Sequence, residues 1–227
     1  QLDISPSYYP HLHLTKANYK KITPLHHAIR HSNEESLKTL LNLLSPNDLE
    51  LEDRKGKTPL FYAIELEDEK KVSLLLKKGV NVNHKDFHHM TPLSYACVNE
   101  KQNLMALLIK HKADVNIPFS YGRTTLLQYA MIKQLDQIAL FLLRKGADAN
   151  LFDETNRSAV TEAIETENTQ ILRFIDATNQ SLKIKTKEGH LPSHLAIDFG
   201  SLSVLELFKD LYVPIDTKLS LKQLGHL

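Results

Sequence analysis

Apolar residues fall in short paired clusters along this chain. Between residues 58 and 83, Leu60, Ala63 and Ile64 recur at three- and four-residue spacing, and after a polar break Val72, Leu75 and Leu76 do the same. That period marks one face of an α-helix, and each stripe lasts only about two turns. Thr58 is placed to cap the first helix, and Pro59 takes its first position, where a missing N–H costs no hydrogen bond. The run from Lys70 to Lys78 predicts a second helix. Lys77 and Lys78 suit its negative C-terminal end, and Gly79 supplies the left-handed residue that stops it. Helices this short are marginal alone in water, so each must bury its stripe against a neighbour.

The arrangement recurs. Thr23-Pro24-Leu25-His26, Thr58-Pro59-Leu60-Phe61 and Thr91-Pro92-Leu93-Ser94 open equivalent clusters, and aligned anchors follow at Thr125, Ser158 and Leu191, with gaps of 35, 33, 34, 33 and 33 residues. A period near 33 predicts stacked units, none able to cover its own apolar face alone. Gly79-Val80-Asn81-Val82-Asn83, Lys112-Ala113-Asp114-Val115-Asn116 and Gly146-Ala147-Asp148-Ala149-Asn150 close three of them. Asn and Asp bond their own backbone in turns, so each unit reads as helix, turn, helix and an extended polar turn.

With the Thr-Pro-Leu-His phrase, the Leu-Leu pair and Gly-Ala-Asp-Xaa-Asn in register, the chain resembles the ankyrin repeat family over residues 18–216. The resemblance implies an all-α fold, an α-solenoid of stacked ankyrin repeats, each a helix-turn-helix followed by a β-hairpin or loop. It also implies a concave face that binds protein, without catalysis. Residues 1–17 are then an N-terminal cap or extension and 217–227 a C-terminal cap or the start of a further segment, because a terminal repeat otherwise leaves an apolar face in water.

Departures from the family pattern carry expectations of their own. Histidine keeps the fourth anchor position only as His26 and His194; with Phe61, Ser94, Gln128 and Thr161 elsewhere, fewer side-chain bonds should tie the loops. Glu67, Glu100, Gln134 and Glu167 stand where the family places glycine between the two helices, which predicts a remodelled turn; Gly200 alone keeps the glycine. Ile175 to Asn179 replaces the usual helix ending, predicting a shorter second helix in the fifth repeat. Extra residues around Leu43 to Pro46 predict a longer exit from the first.

Composition removes several functions. The 28 basic and 27 acidic residues leave a net charge of +1, unlike the basic footprint of a nucleic-acid binder. Apolar runs fall far short of the ~20 residues of a membrane-spanning helix. The single cysteine, Cys97, excludes an intrachain disulfide and fits a reducing compartment, so a cytoplasmic location is expected, or a host-cell cytosol for a secreted bacterial effector. Its position matches Ile64 of the second repeat, which places it in the core. His84, His88 and His89 with Asp86 invite a zinc reading, but a hairpin supplies the needed second shell poorly, and exposed imidazoles are the ordinary account. Glu67 with Glu69, and Glu165 with Glu167, read as solvated charges. No phosphate loop or nucleophile motif appears, so no enzyme, cofactor or metal is expected.

In the family's pattern, hairpin residues and the last exposed positions of each first helix face the partner. Carried over, these are Arg54, Lys55, Lys57 and Leu66 in the second repeat, Phe87, His88, Met90, Val98 and Asn99 in the third, and Tyr121, Arg123, Ile132 and Lys133 in the fourth. Phe87, Met90, Val98, Tyr121 and Ile132 are expected to make a central apolar patch edged by Arg54, Lys55 and Lys57. The expected partner is a protein with an apolar anchor and acidic residues toward the N-terminal repeats; nucleic acid and membrane insertion are not expected, and the chain should be a monomer. The alternative is the substrate-targeting ankyrin domain of a larger enzyme or of a bacterial effector, for which the absence of an initiator Met reads as excision from a longer chain.

Overall fold

Every one of the six anchors starts a helix. The computed structural model describes residues 16–119, 123–178, 180–186 and 188–214. Its first helices are α1 (Pro24–His31), α3 (Pro59–Glu65), α5 (Pro92–Val98), α7 (Leu126–Ile132), α9 (Ala159–Glu165) and α11 (Pro192–Asp198). Each is followed by a second helix: α2 (Glu34–Leu43), α4 (Glu69–Lys77), α6 (Gln102–Lys110), α8 (Asp136–Arg144), α10 (Thr169–Ala177) and α12 (Leu202–Asp210). They fall into two units, one ending at Asp114 and one beginning at Val115. The residues assigned to terminal caps lie outside the described residues, apart from Lys16 and Ala17.

Within the first unit α1, α3 and α5 pack in succession, as do α2, α4 and α6; in the second, α7, α9 and α11 form one row and α8, α10 and α12 the other. Ala63 and Ala96 in the first unit, and Ala130, Ala163 and Ala196 in the second, are fully buried. Their small side chains let neighbouring first helices approach closely. Leu37, Leu41, Val72, Leu75, Leu104 and Leu108 fill the second-helix side of the first unit, with Leu142, Ile171, Leu172, Val204 and Phe208 in the same role in the second.

Thr23, Thr91, Thr125 and Ser158 cap their helices through reciprocal bonds with the side chain three residues on. Thr58 does not. Its Oγ1 is buried without a hydrogen-bond partner, because Phe61 offers no polar atom in return and its amide donates to the Thr58 carbonyl at 3.0 Å. Leu191 has no hydroxyl, yet its N–H donates to Nδ1 of His194 at 3.3 Å.

The expected loss of loop-tying bonds is only partly met. The Nδ1 of His26 accepts from the Thr23 N–H at 3.2 Å while its Nε2 reaches the Lys57 carbonyl at 3.2 Å. Gln128 reproduces both contacts, accepting from the Thr125 N–H at 2.8 Å and donating to the Arg157 carbonyl at 2.6 Å. Ser94 and Thr161 keep the cap contact, each accepting from its anchor's N–H, at 2.7 and 2.8 Å.

Two further expectations are corrected. The turn between helices is not remodelled: Glu67, Glu100, Gln134 and Glu167 take φ of 55°, 57°, 55° and 53°, the same left-handed region that Gly200 occupies at 68°. The turn geometry is kept at the expense of Cβ strain. The second helix of the fifth repeat is not shortened either; α10 has 9 residues, as do α6, α8 and α12. Asn168 caps it at Ile171, and Gln180 takes over the closing turn, accepting from the Ala149 N–H and donating to the Ala147 carbonyl. The first repeat does exit through a longer route, a 3-10 helix over Pro46–Glu50.

The turn asparagines reach farther than their own loop. In the first unit Asn83 accepts from the Asp114 N–H at 2.9 Å; in the second, Asn116 accepts from the Asp148 N–H at 2.8 Å. Each turn is thereby tied to the one after it.

Candidate partner-binding face

Three of the fingers joining successive repeats are tight turns organised by a buried acid, rather than the pair of strands a hairpin would show; in the finger before α11, Thr186 takes the acid's place and accepts from the His190 amide. Asp53 accepts from the Lys55 and Lys57 amides, Asp86 from His88 and Met90, and Asp153 from Thr155 and Arg157. A carboxylate receiving two amides at 2.7–3.0 Å fixes the finger without a strand ladder. The finger before α7 carries an extra residue and closes differently, through an isolated bridge between Phe119 and Thr124.

Phe87 stands on this scaffold with 57% of its surface exposed. Its amide donates to the Lys55 carbonyl at 3.0 Å, and its ring lies over Gly56, where an added Cβ would come within 2.5 Å of it. Glycine is needed here for the ring's approach, whereas the left-handed backbone alone does not demand it, since His89 and Asn156 take φ of 60° and 61° at the same place in their fingers. At the ends of the first helices Leu66 is 46% and Val98 37% exposed. His88, Asn99, Arg54 and Lys55 are exposed, while Met90 is half-buried. In the second unit Ile132 is 52% exposed, and Lys133 and Arg123 are exposed too. Tyr121 lies outside the described residues.

Lys57 departs from its expected place. Its residue is buried and its Nζ is held by Glu65 at 2.5 Å and by the Tyr95 hydroxyl at 2.8 Å. Burial pulls its pKa down, and those two hydrogen bonds more than offset it, so the net direction is upward and the ammonium stays charged. Lys57 braces the finger against α3 instead of reaching outward. Arg157 plays the corresponding part in the second unit, gripping Glu162 in a two-pronged pair and also touching Glu165. Those carboxylates hold its guanidinium even more firmly charged than usual.

Three exposed residues that sequence reasoning passed over stand beside Arg54: Tyr19, Lys20 and Arg30. Tyr19, 72% exposed, has Lys20 Nζ and the Arg54 guanidinium at 5.6 and 5.8 Å from its ring centre, and Arg30 lies 4.5 Å above the Tyr62 ring. An aromatic residue inside the polar stretch Asn18 to Lys21 was the available signal.

Cys97 is fully buried, and burial, with Glu100 adding to it, pushes its thiol up to about 12, the opposite of a reactive thiolate. Asp86 is spent on backbone amides, and His84 Nε2 contacts the Gly56 carbonyl at 2.9 Å. Among the described residues no three His, Cys, Asp or Glu side chains are placed to hold a metal ion, and no helix is long and apolar enough to cross a membrane.

The fold has many relatives. Residues 8–86 and 84–153 match the family model described as ankyrin repeats (3 copies). An ankyrin repeat protein of Acanthamoeba polyphaga mimivirus is 38% identical over 159 residues, 66% of this chain and 38% of its own length; a second from that virus is 25% identical over 73% of this chain and 22% of its own length. The chain thus spans well under half the length of these curated relatives. Among solved structures, an ankyrin repeat domain from Acinetobacter baumannii AYE matches with TM-score 0.69, 22% identity and coverage of 84% of this chain and 98% of that one. The ankyrin repeat domain of Bcl-3, an IkappaB-family member, gives 0.72 and 22%, covering 86% of each chain. A chain in the complex of the Bdellovibrio bacteriovorus predatory endopeptidase Bd0816 with immunity protein Bd3460 gives 0.62 and 22%, covering 86% of this chain and 99% of that one. Capped helix pairs at a 33-residue period, acid-organised fingers and the family match over most of its length together mean that this chain belongs to the ankyrin repeat family.

Proposed function

We propose that this chain is a non-catalytic protein-interaction module whose fingers and first-helix ends form the contact face. Family membership supports the general reading, since ankyrin repeat domains generally mediate protein–protein contacts. The observation that carries it to a face is Phe87, an aromatic side chain exposed on a finger that Asp86, Gly56 and the Lys55 carbonyl hold in place. Exposing an aromatic ring to water is unfavourable, and a pre-ordered ring loses little entropy when a partner covers it. Leu66 and Val98 add apolar surface in the same unit, and Arg54 and Lys55 add charge.

The test is capture of a partner from lysate by wild type against Phe87→Ala, with circular dichroism and melting recorded on both proteins. Loss of capture with an unchanged fold is expected. Equal capture by the variant would remove Phe87 from the interface and this face from the proposal.

A second reading is favoured by the length of the relatives, of which this chain spans 38% and 22%. On that reading the module targets a larger protein, an enzyme or an effector acting in a host cell, to its substrate. Sequencing the reading frame on both sides, and finding stop and start signals immediately outside these residues, would dispose of it.

A further inference from the structure

We propose that a groove at the start of the first unit is a docking site for an acidic peptide segment with an apolar side chain, recognised through its carboxylates. The proposal rests on the protein-interaction reading and adds a partner chemistry at the N-terminal end of the same face, which shares Arg54 and Lys55 with it. The groove, of about 660 Å³, lies between the segment before α1, the end of α1, the finger organised by Asp53 and α3. That size suits several side chains of a peptide better than a single ion.

Its lining is charged unevenly. Five cations, Lys20, Arg30, Arg54, Lys55 and Lys57, face two carboxylates, Asp53 and Glu65, an excess of three positive charges in a chain whose whole net charge is +1. Both carboxylates are already engaged. Asp53 accepts from two finger amides and, at 2.8 Å, from the Tyr62 hydroxyl. Glu65 accepts from Lys57 and, at 3.2 Å, from Tyr95, with Arg30 at 3.8 Å. Only Lys57 is neutralised closely; among the described residues Lys20, Arg54 and Lys55 pair with no carboxylate. Those cations lack anions that a partner can supply.

The walls are ordered in advance. Asn18 accepts from the Lys20 and Ile22 amides at 2.9 and 3.0 Å, and the Arg54 amide donates to the Lys20 carbonyl at 3.3 Å, so the segment carrying Tyr19 is tied to the finger carrying Arg54. Arg30 lies on the Tyr62 ring with one guanidinium nitrogen 3.8 Å from Glu65, which fixes its charge at the wall of the groove. Tyr19, exposed between Lys20 and Arg54, offers a flat apolar surface next to the charges. A carboxylate beside an apolar side chain satisfies both features at once. A nucleic acid would require a long basic track to follow its evenly spaced phosphates, and the net charge of the whole chain is only +1.

The experiment is a fluorescence-anisotropy titration of the full chain with a fluorescein-labelled Glu-Asp-Leu-Glu-Glu-Leu-Asp-Glu peptide at low salt. Comparison probes are the same peptide with Gln and Asn replacing the acids, and a single-stranded oligothymidylate of equal charge. Wild type should bind the acidic peptide, lose it as salt rises, and ignore the neutral one. Arg54→Glu should weaken binding at least about tenfold, whereas Lys183→Glu, the same charge change at an exposed site in the second unit, should leave it unaltered. Should Arg54→Glu melt differently from wild type, Arg54→Gln with Tyr19→Ala reads the same contact, with severalfold weakening expected.

No binding by wild type, equal binding by the Arg54 variants, an equal loss in Lys183→Glu, or equally tight binding of oligothymidylate would each overturn the proposal. The two readings fail separately. Retained partner capture by Phe87→Ala sinks the finger face and leaves this titration standing, and an unresponsive titration sinks the groove alone.

Discussion

Replacing Gln128 by Leu removes two hydrogen bonds without changing the bulk of a fully buried side chain much. Its carboxamide receives the Thr125 N–H at the start of α7 and donates to the Arg157 carbonyl in the finger before α9. The Thr125 amide is buried, so leaving it unpaired costs about 1–3 kcal/mol; the half-buried Arg157 carbonyl can recover water and should cost nearer 1 kcal/mol. The expected loss is therefore roughly 2–4 kcal/mol in the second unit. Urea denaturation followed by circular dichroism measures it. Gln128→His is the companion variant, because His26 makes the same pair of contacts in the first repeat. It should retain most of the stability. A Gln128→Leu cost below about 0.5 kcal/mol, or an equal cost for Leu and His, would refute the claim that these two bonds tie finger to helix.

Four other outcomes follow from the same geometry. Burial holds the His26 pKa below its ordinary 6.5, so the unfolded chain takes up the proton more readily and stability should fall as pH drops below 6.5; His26→Gln should flatten that part of a urea-midpoint profile, and parallel profiles would contradict the assignment. Glu100→Gly relieves a left-handed residue at φ 57° and should gain roughly 0.5–1 kcal/mol net of glycine's entropy, read as a higher denaturation midpoint. Gly56→Ala should cost about 2–4 kcal/mol, because its Cβ would meet the Phe87 ring at 2.5 Å and the Phe87 amide at 2.9 Å; an unchanged midpoint would mean the ring is free to leave. Cys97, with its thiol pushed to about 12, should resist iodoacetamide at mildly alkaline pH until the protein is unfolded, as mass spectrometry would report.

Helix starts, repeat count and core were legible because they depend on local chemistry: Thr or Ser before the helix, Pro at its first position, and apolar residues at helical spacing. Cys97 was placed in the core by its register alone. The candidate face was only partly legible. Phe87, Leu66, Val98 and Ile132 are exposed where register puts them, but Lys57 in the same register turns inward because Glu65 and Tyr95 hold it. Tyr95 belongs to the next repeat, and nothing within residues 53–58 announces it.

What the sequence by itself determined is the unit: a capped helix pair, its 33-residue period and the stripe each helix must bury, all consequences of neighbouring residues. Tertiary structure decided how departures from the pattern are absorbed. Gln128 replaces a histidine because its amide spans the same distance from helix cap to finger carbonyl, and Glu67, Glu100 and Glu167 accept a left-handed backbone because packed helices on either side outweigh the local strain. The groove beside Tyr19 exists only once the segment before α1 is bonded to a finger more than thirty residues on, since Arg54 and Lys20 become neighbours through the Arg54 N–H and the Lys20 carbonyl. Periodicity reports which side chains a helix must bury, whereas the partners of a charged side chain depend on distances that only the folded chain sets.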